Sequence, residues 1–342
     1  MEDPTSVLVD LSQYELDGLC DGYELRRSRY EARANAGSHE ARRDWTQNIG
    51  PISEFGVCNP VNGNLIAILF PLSKPERLHA LAYIVEYIFL YDDVLDEAPS
   101  VNPSPSSWQR SPREGHTRLQ SKILMLLTTI DAPCGHRVKR AWKQCLNTTL
   151  HEKPTSFNTL QEYLDYRIID AGTPVAEALM LWGISLVLSP SEDALLAPIR
   201  TLCFSALALT NDLFSFELEF ASMQSTGAET LTNAVWLHMQ WYGVDAGTAK
   251  DMVRDVIIKY EQEFLAASRA LLEEMRPTEE KLERYLTGLM YQISGNAVWH
   301  MNAPRYWKEF RYDANAGIED EMTMKYRLGF AEEEEDEEEV SD

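Results

Sequence analysis

Two runs of oxygen-bearing side chains interrupt otherwise apolar helical patterns. The first is Asp92-Asp93-Val94-Leu95-Asp96, at the end of a stretch where Leu78, Leu81, Ala82, Val85, Ile88 and Phe89 recur at helical spacing. At about 3.6 residues per turn that stripe continues onto Asp92 and Asp96, with Asp93 about 100° aside. The spacing therefore predicts two carboxylates, one turn apart, pointing the way the core points. Carboxylates this close repel each other and are expensive to bury unless a cation lies between them. A hard, oxygen-liganded divalent ion such as magnesium would resolve the conflict. The ordinary alternative is a solvated helix end, although acids at a helix C-terminus oppose its dipole.

The second run is Asn211-Asp212-Leu213-Phe214-Ser215-Phe216-Glu217-Leu218-Glu219. Asn211, Ser215 and Glu219 fall at i, i+4 and i+8, one stripe over two turns, and upstream the same stripe reads Phe204, Leu207 and Ala208. An amide carbonyl, a hydroxyl and a carboxylate in line make a second candidate magnesium site. The polar edge of an amphipathic helix is the plain alternative, and the surrounding Phe214, Phe216 and Leu218 fit it poorly.

Basic residues complete the set. Arg167 continues the face of Leu160, Tyr163 and Leu164, so the spacing turns it inward, where a guanidinium needs anionic company. Near the end of the last helical pattern, Pro304-Arg305-Tyr306-Trp307 puts a second Arg beside a phenol. Either Arg alone is explained by a salt bridge. Beside two metal stripes they describe a clamp for a diphosphate.

The elements that must carry these residues are helices. After Pro71 helical periodicity dominates, beginning at Ser73 and Glu76, which read as a capping box with Pro75 in the first turn. Patterns follow over 116–150, 157–171, 175–188, 192–221, 228–241, 247–275 and 277–307. The first sixty residues are mixed and turn-rich, and 99–115 is a Pro- and Ser-rich loop. No strand alternation exceeds a few residues, so the expected fold is all-α, with roughly ten helices in one domain.

Composition narrows the partners. The 342 residues carry a formal charge of −23, and nine of the acids lie in the terminal run from Glu332 to Asp342. Such a chain is a poor ligand for nucleic acid or an anionic membrane surface. No stretch reaches the ~18 apolar residues of a membrane helix. The N-terminus has acids where a signal peptide needs bases, and five scattered cysteines show no framework spacing. These features read as a cytoplasmic protein with reduced thiols. The tail should be disordered, because it has almost nothing to bury.

Taken together, DDVLD, YRIIDAG, NDLFSFELE and PRYW, in this order and spacing, resemble the class I terpene synthases. The stretch GNAVWHMNAPRY is most similar to the N-terminal cyclase domain of fungal chimeric prenyltransferase–terpene cyclases. The resemblance spans residues 1–325 and implies a helical bundle around a central active-site cavity, with 326–342 a disordered tail or truncated linker. It implies that the aspartate-rich motif (Asp92 leading, with Asp93 and Asp96) and the triad Asn211, Ser215, Glu219 hold three magnesium ions with bound diphosphate. It also implies that Arg167 senses the diphosphate, that Asp170 links the sensor to a helix break at Ala171-Gly172, and that Arg305 and Tyr306 bind the diphosphate. One departure is Leu218, where the family often has a basic residue.

The reaction so implied is ionisation of a polyprenyl diphosphate, geranylgeranyl diphosphate for a diterpene cyclase or geranylfarnesyl diphosphate for a sesterterpene cyclase. Phe89, Trp182 and Trp299 are expected to line the cavity, where aromatic faces stabilise a cation. Core packing accounts equally for any one of them. The expected partners are thus a polyprenyl diphosphate and, in a full-length protein, a prenyltransferase domain. A chain-elongating prenyltransferase is the nearest rival, and NDLFSFELE lacks the second aspartate pair it would need. A non-catalytic helical protein would leave inward Asp92, Arg167 and Asn211 unexplained.

Overall fold

A computed structural model of the chain describes residues 3–52, 55–96, 112–149, 154, 156–275 and 280–312. Within them the fold is all-α apart from one hairpin, in which β1 (Ser6–Val9) pairs antiparallel with β2 (Leu25–Ser28). The helices are α1 (Glu31–Asn48), α2 (Leu65–Leu69), α3 (Pro75–Asp96), α4 (Pro112–Ile130), α5 (Ala132–Thr149), α6 (Leu160–Asp170), α7 (Thr173–Ile184), α8 (Pro190–Thr226), α9 (Ala234–Tyr242), α10 (Ala246–Glu274) and α11 (Glu280–Met301). The expected tail, 326–342, and most of the 99–115 loop lie outside the described residues.

Helix α7 is buried along almost its whole length, and α8 packs on both α10 and α11. Helix α8 is long and apolar enough, by length and composition, to cross a membrane, a feature the sequence reading passed over. In its most apolar 18-residue window 56% is buried inside the bundle, as in a core helix. All five cysteines are free.

Several local expectations change. Helix α1 falls in the turn-rich opening, where its polar composition concealed it. Gly37 is not a turn there: a Cβ on it would meet the His79 carbonyl oxygen at 2.1 Å, so the glycine lets α1 close on α3. The 116–150 pattern is two helices, broken at Asp131, whose carboxylate accepts the Cys134 amide at 3.2 Å. The Ser73 hydroxyl is buried without a hydrogen-bond partner among the described residues, so it caps nothing. A reciprocal capping box forms instead at Ser189 and Glu192, opening α8.

The N-terminal segment is pinned to α10 through Glu261, which is fully buried. Its carboxylate accepts the Cys20 amide at 2.7 Å, and its backbone carbonyl accepts the Tyr23 hydroxyl at 2.8 Å. Burial pushes the Glu261 carboxyl up to about 7, against the hydrogen bonds from Cys20. A raised carboxyl binds its proton more tightly in the folded chain than in the unfolded one. Stability is therefore expected to fall as pH rises from the ordinary carboxylate range through about 7, by at most about 3 kcal/mol. Urea unfolding of Glu261→Gln between pH 5 and 8 should show that decline flattened. An unchanged pH slope would refute the assignment.

Candidate active site

One end of the bundle gathers residues from five elements. Helix α3 brings Phe89, Asp92 and Asp93; α6 brings Tyr163, Arg167 and Asp170; α8 brings Asn211, Asp212, Ser215 and Glu219. Helix α11 ends in Trp299 and His300, and the turn after it carries Arg305 and Tyr306.

Helix α6 starts at Thr159, whose hydroxyl accepts the Glu162 amide, and stops at Gly172, which takes the left-handed conformation (φ 70°) that residues with a Cβ adopt at a cost. This break leaves Arg167 in the last turn of α6, where a cation suits the helix dipole. Arg167 is 9% exposed and fully engaged. Its Nε donates to Asp212 Oδ1 at 2.8 Å, Nη1 to Asp170 Oδ2 at 2.6 Å, and Nη2 to Asn211 Oδ1 at 2.9 Å. Burial alone would lower the guanidinium, but Asp212, Tyr163, Asp170 and Glu219 outweigh it and hold it well above its usual range.

Asp212 is the fully buried partner that the sequence reading missed. It also accepts the Tyr163 hydroxyl, and the Ala234 amide at 3.0 Å. Burial raises its carboxyl, and Arg167 pulls it back. The available signal was its place directly after Asn211, and Tyr163 on the same α6 face as Arg167.

Along α8, Asn211 and Glu219 are half-buried and Ser215 is buried. Glu219 accepts Asn233 Nδ2 at 3.0 Å, and burial raises its carboxyl against the pull of Arg167. Ser215 Oγ is near enough to Glu219 to favour its ionised form. It has no partner of hydrogen-bonding geometry among the described residues, which leaves its lone pairs available. No three His, Cys, Asp or Glu side chains converge among the described residues. An ion held here would therefore take the amide, hydroxyl and carboxylate of this stripe, a hard-oxygen set suited to magnesium, and complete its shell from water or phosphate.

The last turn of α3 corrects the expected phase. Asp92 is exposed, whereas Asp93 is half-buried and forms a bidentate pair with Arg305, its Oδ2 at 3.0 Å from Nη1. The stripe misled because α3 is buried all round from Leu78 to Tyr87, apart from small gaps, and such a helix carries no reliable phase. Asp92 still lies within electrostatic reach of Arg305 and Tyr306, behind Asp93 in its effect on both. The Asp96 side chain lies outside the described residues.

Arg305 sits over the Phe89 ring at 5.3 Å, and its Nη1 also donates to the Phe55 carbonyl at 3.3 Å. Trp299 meets Phe89 edge-on at 5.8 Å and donates its indole N–H to the Val57 carbonyl at 3.1 Å. Tyr306 stacks on His300 with centroids 5.3 Å apart and planes 10° apart. Asn211 Nδ2 lies 3.2 Å from His300 Nε2 and 3.4 Å from the Tyr306 hydroxyl. Burial pushes the His300 imidazole down to about 4. Among seven histidines His300 stood out only by falling inside the stretch GNAVWHMNAPRY, with no spacing that gave it a role.

Trp182 does not belong to this group. It is fully buried, donates its indole N–H to the Leu127 carbonyl at 3.0 Å, and lies under Arg77 at 5.0 Å. Arg77 is near the start of α3, about 24 Å along the helix from Asp93. The Trp182 indole packs between α3 and α4 at the far end, so its expected place in the cavity is withdrawn.

Comparison with known proteins identifies the family and the fold. The family model described as "Terpene synthase family 2, C-terminal metal binding" matches residues 83–263, which include α6 and the whole of α8. Variediene synthase of Aspergillus brasiliensis is 40% identical over 89% of this chain, which spans just under half (46%) of that protein. Terpene cyclase ATR13 of Stachybotrys chlorohalonatus is 36% identical over 93% of this chain and is itself 90% covered. Aristolochene synthase from Penicillium roqueforti shares the fold, with a TM-score of 0.58, 18% identity, and 78% of this chain and 94% of its own covered.

Proposed function

The chain belongs to the terpene synthase family, and from that premise we propose that it is a magnesium-dependent terpene cyclase acting on geranylgeranyl diphosphate and releasing a polycyclic diterpene hydrocarbon. The observation that carries the reading is two hydrogen-bonded groups brought together by the adjacent residues Arg305 and Tyr306: Asp93 pairs with Arg305, and the Tyr306 hydroxyl reaches Asn211, which reaches Arg167. Two cations, two separate oxygen-donor sets and a phenol meet at one end of an apolar bundle.

Asn211, Ser215 and Glu219, with Asp92 and Asp93 opposite, would hold the metal; Asp96 would join them from the same helix. Ser215 Oγ, buried and with no partner of hydrogen-bonding geometry among the described residues, fits that role. Bound magnesium would neutralise the diphosphate and make it a better leaving group. The chain's own contribution begins with Arg305, which exchanges Asp93 for phosphoryl oxygens, and Arg167, whose Nη2 leaves the Asn211 amide for them, with the Tyr306 hydroxyl donating beside them. Asp170 and Asp212 hold the Arg167 fork in register during that exchange. Phe89 offers its face to the allylic cation once Arg305 has turned to the diphosphate. Trp299, its indole tied to Val57, fixes the tilt of Phe89 from behind. We further propose residues 1–325 as the catalytic domain, with the polyprenyl diphosphate supplied by a prenyltransferase activity outside it.

Chain length is set by the apolar part of the site, because the diphosphate end treats every substrate alike. Phe89, backed by Trp299, crowds the space next to the diphosphate and favours geranylgeranyl diphosphate. The withdrawal of Trp182 into the core removes an expected wall and favours the alternative, a sesterterpene cyclase using geranylfarnesyl diphosphate. Apolar discrimination is worth about 1–3 kcal/mol per methylene, and these substrates differ by five-carbon units, so an apolar cavity filled by one chain length can separate it from the next. The test is competition of farnesyl, geranylgeranyl and geranylfarnesyl diphosphates at equal concentration, with magnesium and products identified by mass. A cyclic product pool dominated by the geranylgeranyl-derived hydrocarbon supports the reading, and dominance of the geranylfarnesyl-derived one establishes the alternative. Linear products would point to chain elongation instead.

A further inference from the structure

The Asn211 carboxamide can present either its oxygen or its nitrogen to the site, and only the oxygen can bind a metal. Two neighbours decide. On one side stands Arg167 Nη2, 2.9 Å away, which can only donate and so demands the oxygen. On the other stands His300 Nε2, 3.2 Å from Asn211 Nδ2. His300 Nδ1 is 2.8 Å from the Asn296 carbonyl, which can only accept, so Nδ1 carries the ring proton. A neutral imidazole has one such proton, and Nε2 is left as an acceptor for the Asn211 amide. The ring has little freedom to turn, being 4% exposed and held between Tyr306 at 5.3 Å and Phe214 at 6.0 Å.

We propose that His300 is a positioning residue that fixes the Asn211 carboxamide with its oxygen toward the metal. The relay runs from the Asn296 carbonyl on α11, through the imidazole, to an amide on α8. It rests on the reading of Asn211 as a metal ligand given above. Its importance follows from the resting contacts: Arg167 orients the amide only while it is not engaged by a diphosphate. The hold of His300 does not depend on what Arg167 does, so it keeps the oxygen in place after that exchange.

His300→Phe keeps an aromatic ring for both stacking contacts and removes the Nε2 acceptor together with the Nδ1–H donated to the Asn296 carbonyl; melting in EDTA measures the cost of the second loss. His300→Gln can place an acceptor oxygen close to the position of Nε2. Both are compared with the wild-type chain by melting temperature in EDTA, by the rise in melting temperature on adding magnesium with inorganic diphosphate, and by the magnesium concentration giving half-maximal turnover. His300→Phe is expected to raise that concentration by about 10- to 100-fold, the usual cost of losing a residue that orients a metal ligand. It should also lose the magnesium–diphosphate stabilisation while melting normally in EDTA. His300→Gln should recover most of both. In an Asn211→Asp background, where either side-chain oxygen can face the metal, His300→Phe should add little further loss; an equal loss there would overturn the proposal. Should His300→Phe not fold, His300→Leu replaces it under the same criteria, and His300→Gln with the same defect as His300→Leu would overturn the relay. Unchanged magnesium dependence and unchanged stabilisation in the acceptor-less variant overturn the role of His300 alone. A wild-type chain that magnesium and diphosphate do not stabilise overturns the metal reading beneath it.

Discussion

Replacing Asn211 by Ala is expected to lower turnover of the polyprenyl diphosphate by at least about 10²–10³-fold, the cost of removing one group that stabilises developing charge. The physical reason is that Asn211 is the junction of the site. Its oxygen accepts from Arg167 at 2.9 Å, and its nitrogen reaches His300 at 3.2 Å and Tyr306 at 3.4 Å. Removing the amide takes away the proposed neutral metal ligand and leaves three neighbours without their common partner. The residue is half-buried and sits mid-helix in α8, so helix content by circular dichroism should be unchanged. Asp92→Ala belongs to the same experiment: its charge reaches Arg305 and Tyr306 from the other side of the site. Full activity in Asn211→Ala would end the assignment of the α8 stripe to a metal.

Arg167→Met is expected to be the most damaging substitution for stability. It removes the charge that compensates Asp212, fully buried, and Asp170, with a 5% exposed side chain. Breaking a buried pair by deleting one partner typically costs about 3–5 kcal/mol, because the remaining charge is left uncompensated. Asp212 already has a carboxyl raised by burial even with Arg167 beside it, and losing the guanidinium raises it further. A carboxyl raised in the folded state binds its proton more readily there than in the unfolded chain, so acid relieves the defect. The loss should be largest at neutral pH and above, and shrink as pH falls toward the ordinary carboxylate range. Urea unfolding of wild type and variant at several pH values measures it, and Asp212→Asn in the Arg167→Met background should recover part of the stability. A penalty below about 1 kcal/mol at pH 8 would show that the network is solvated and the charge screened.

Both experiments concern residues that the amino-acid order exposed to different degrees. Arg167, Asn211, Ser215 and Glu219 were legible because each continues an apolar stripe with a polar group. A helix packed on one face cannot tolerate such a group inward without a partner. The same reasoning misplaced Asp92, because α3 is apolar nearly all round before the motif and its stripe records no single face. It also overvalued Trp182, since a large ring on an apolar helix packs equally well at either end of a bundle. Helix α1 went unseen for the opposite reason: it is polar and carries Gly37, and only the His79 carbonyl lying against it explains why a glycine stands there.

By itself the sequence determined the all-α class, the helix break before Thr173, the oxygen-donor stripe on α8 and the family to which the chain belongs. These are local or periodic properties, written into spacing along one element. Which carboxylate of the α3 motif turns to Arg305, which acid holds Arg167, and how His300 sets the Asn211 amide were decided only by tertiary structure. Each depends on the approach of helices far apart in the chain, and a few tenths of an ångström or one rotamer distinguishes a hydrogen bond from none. Periodicity along one helix holds no information about the polar groups that a neighbouring helix brings to it.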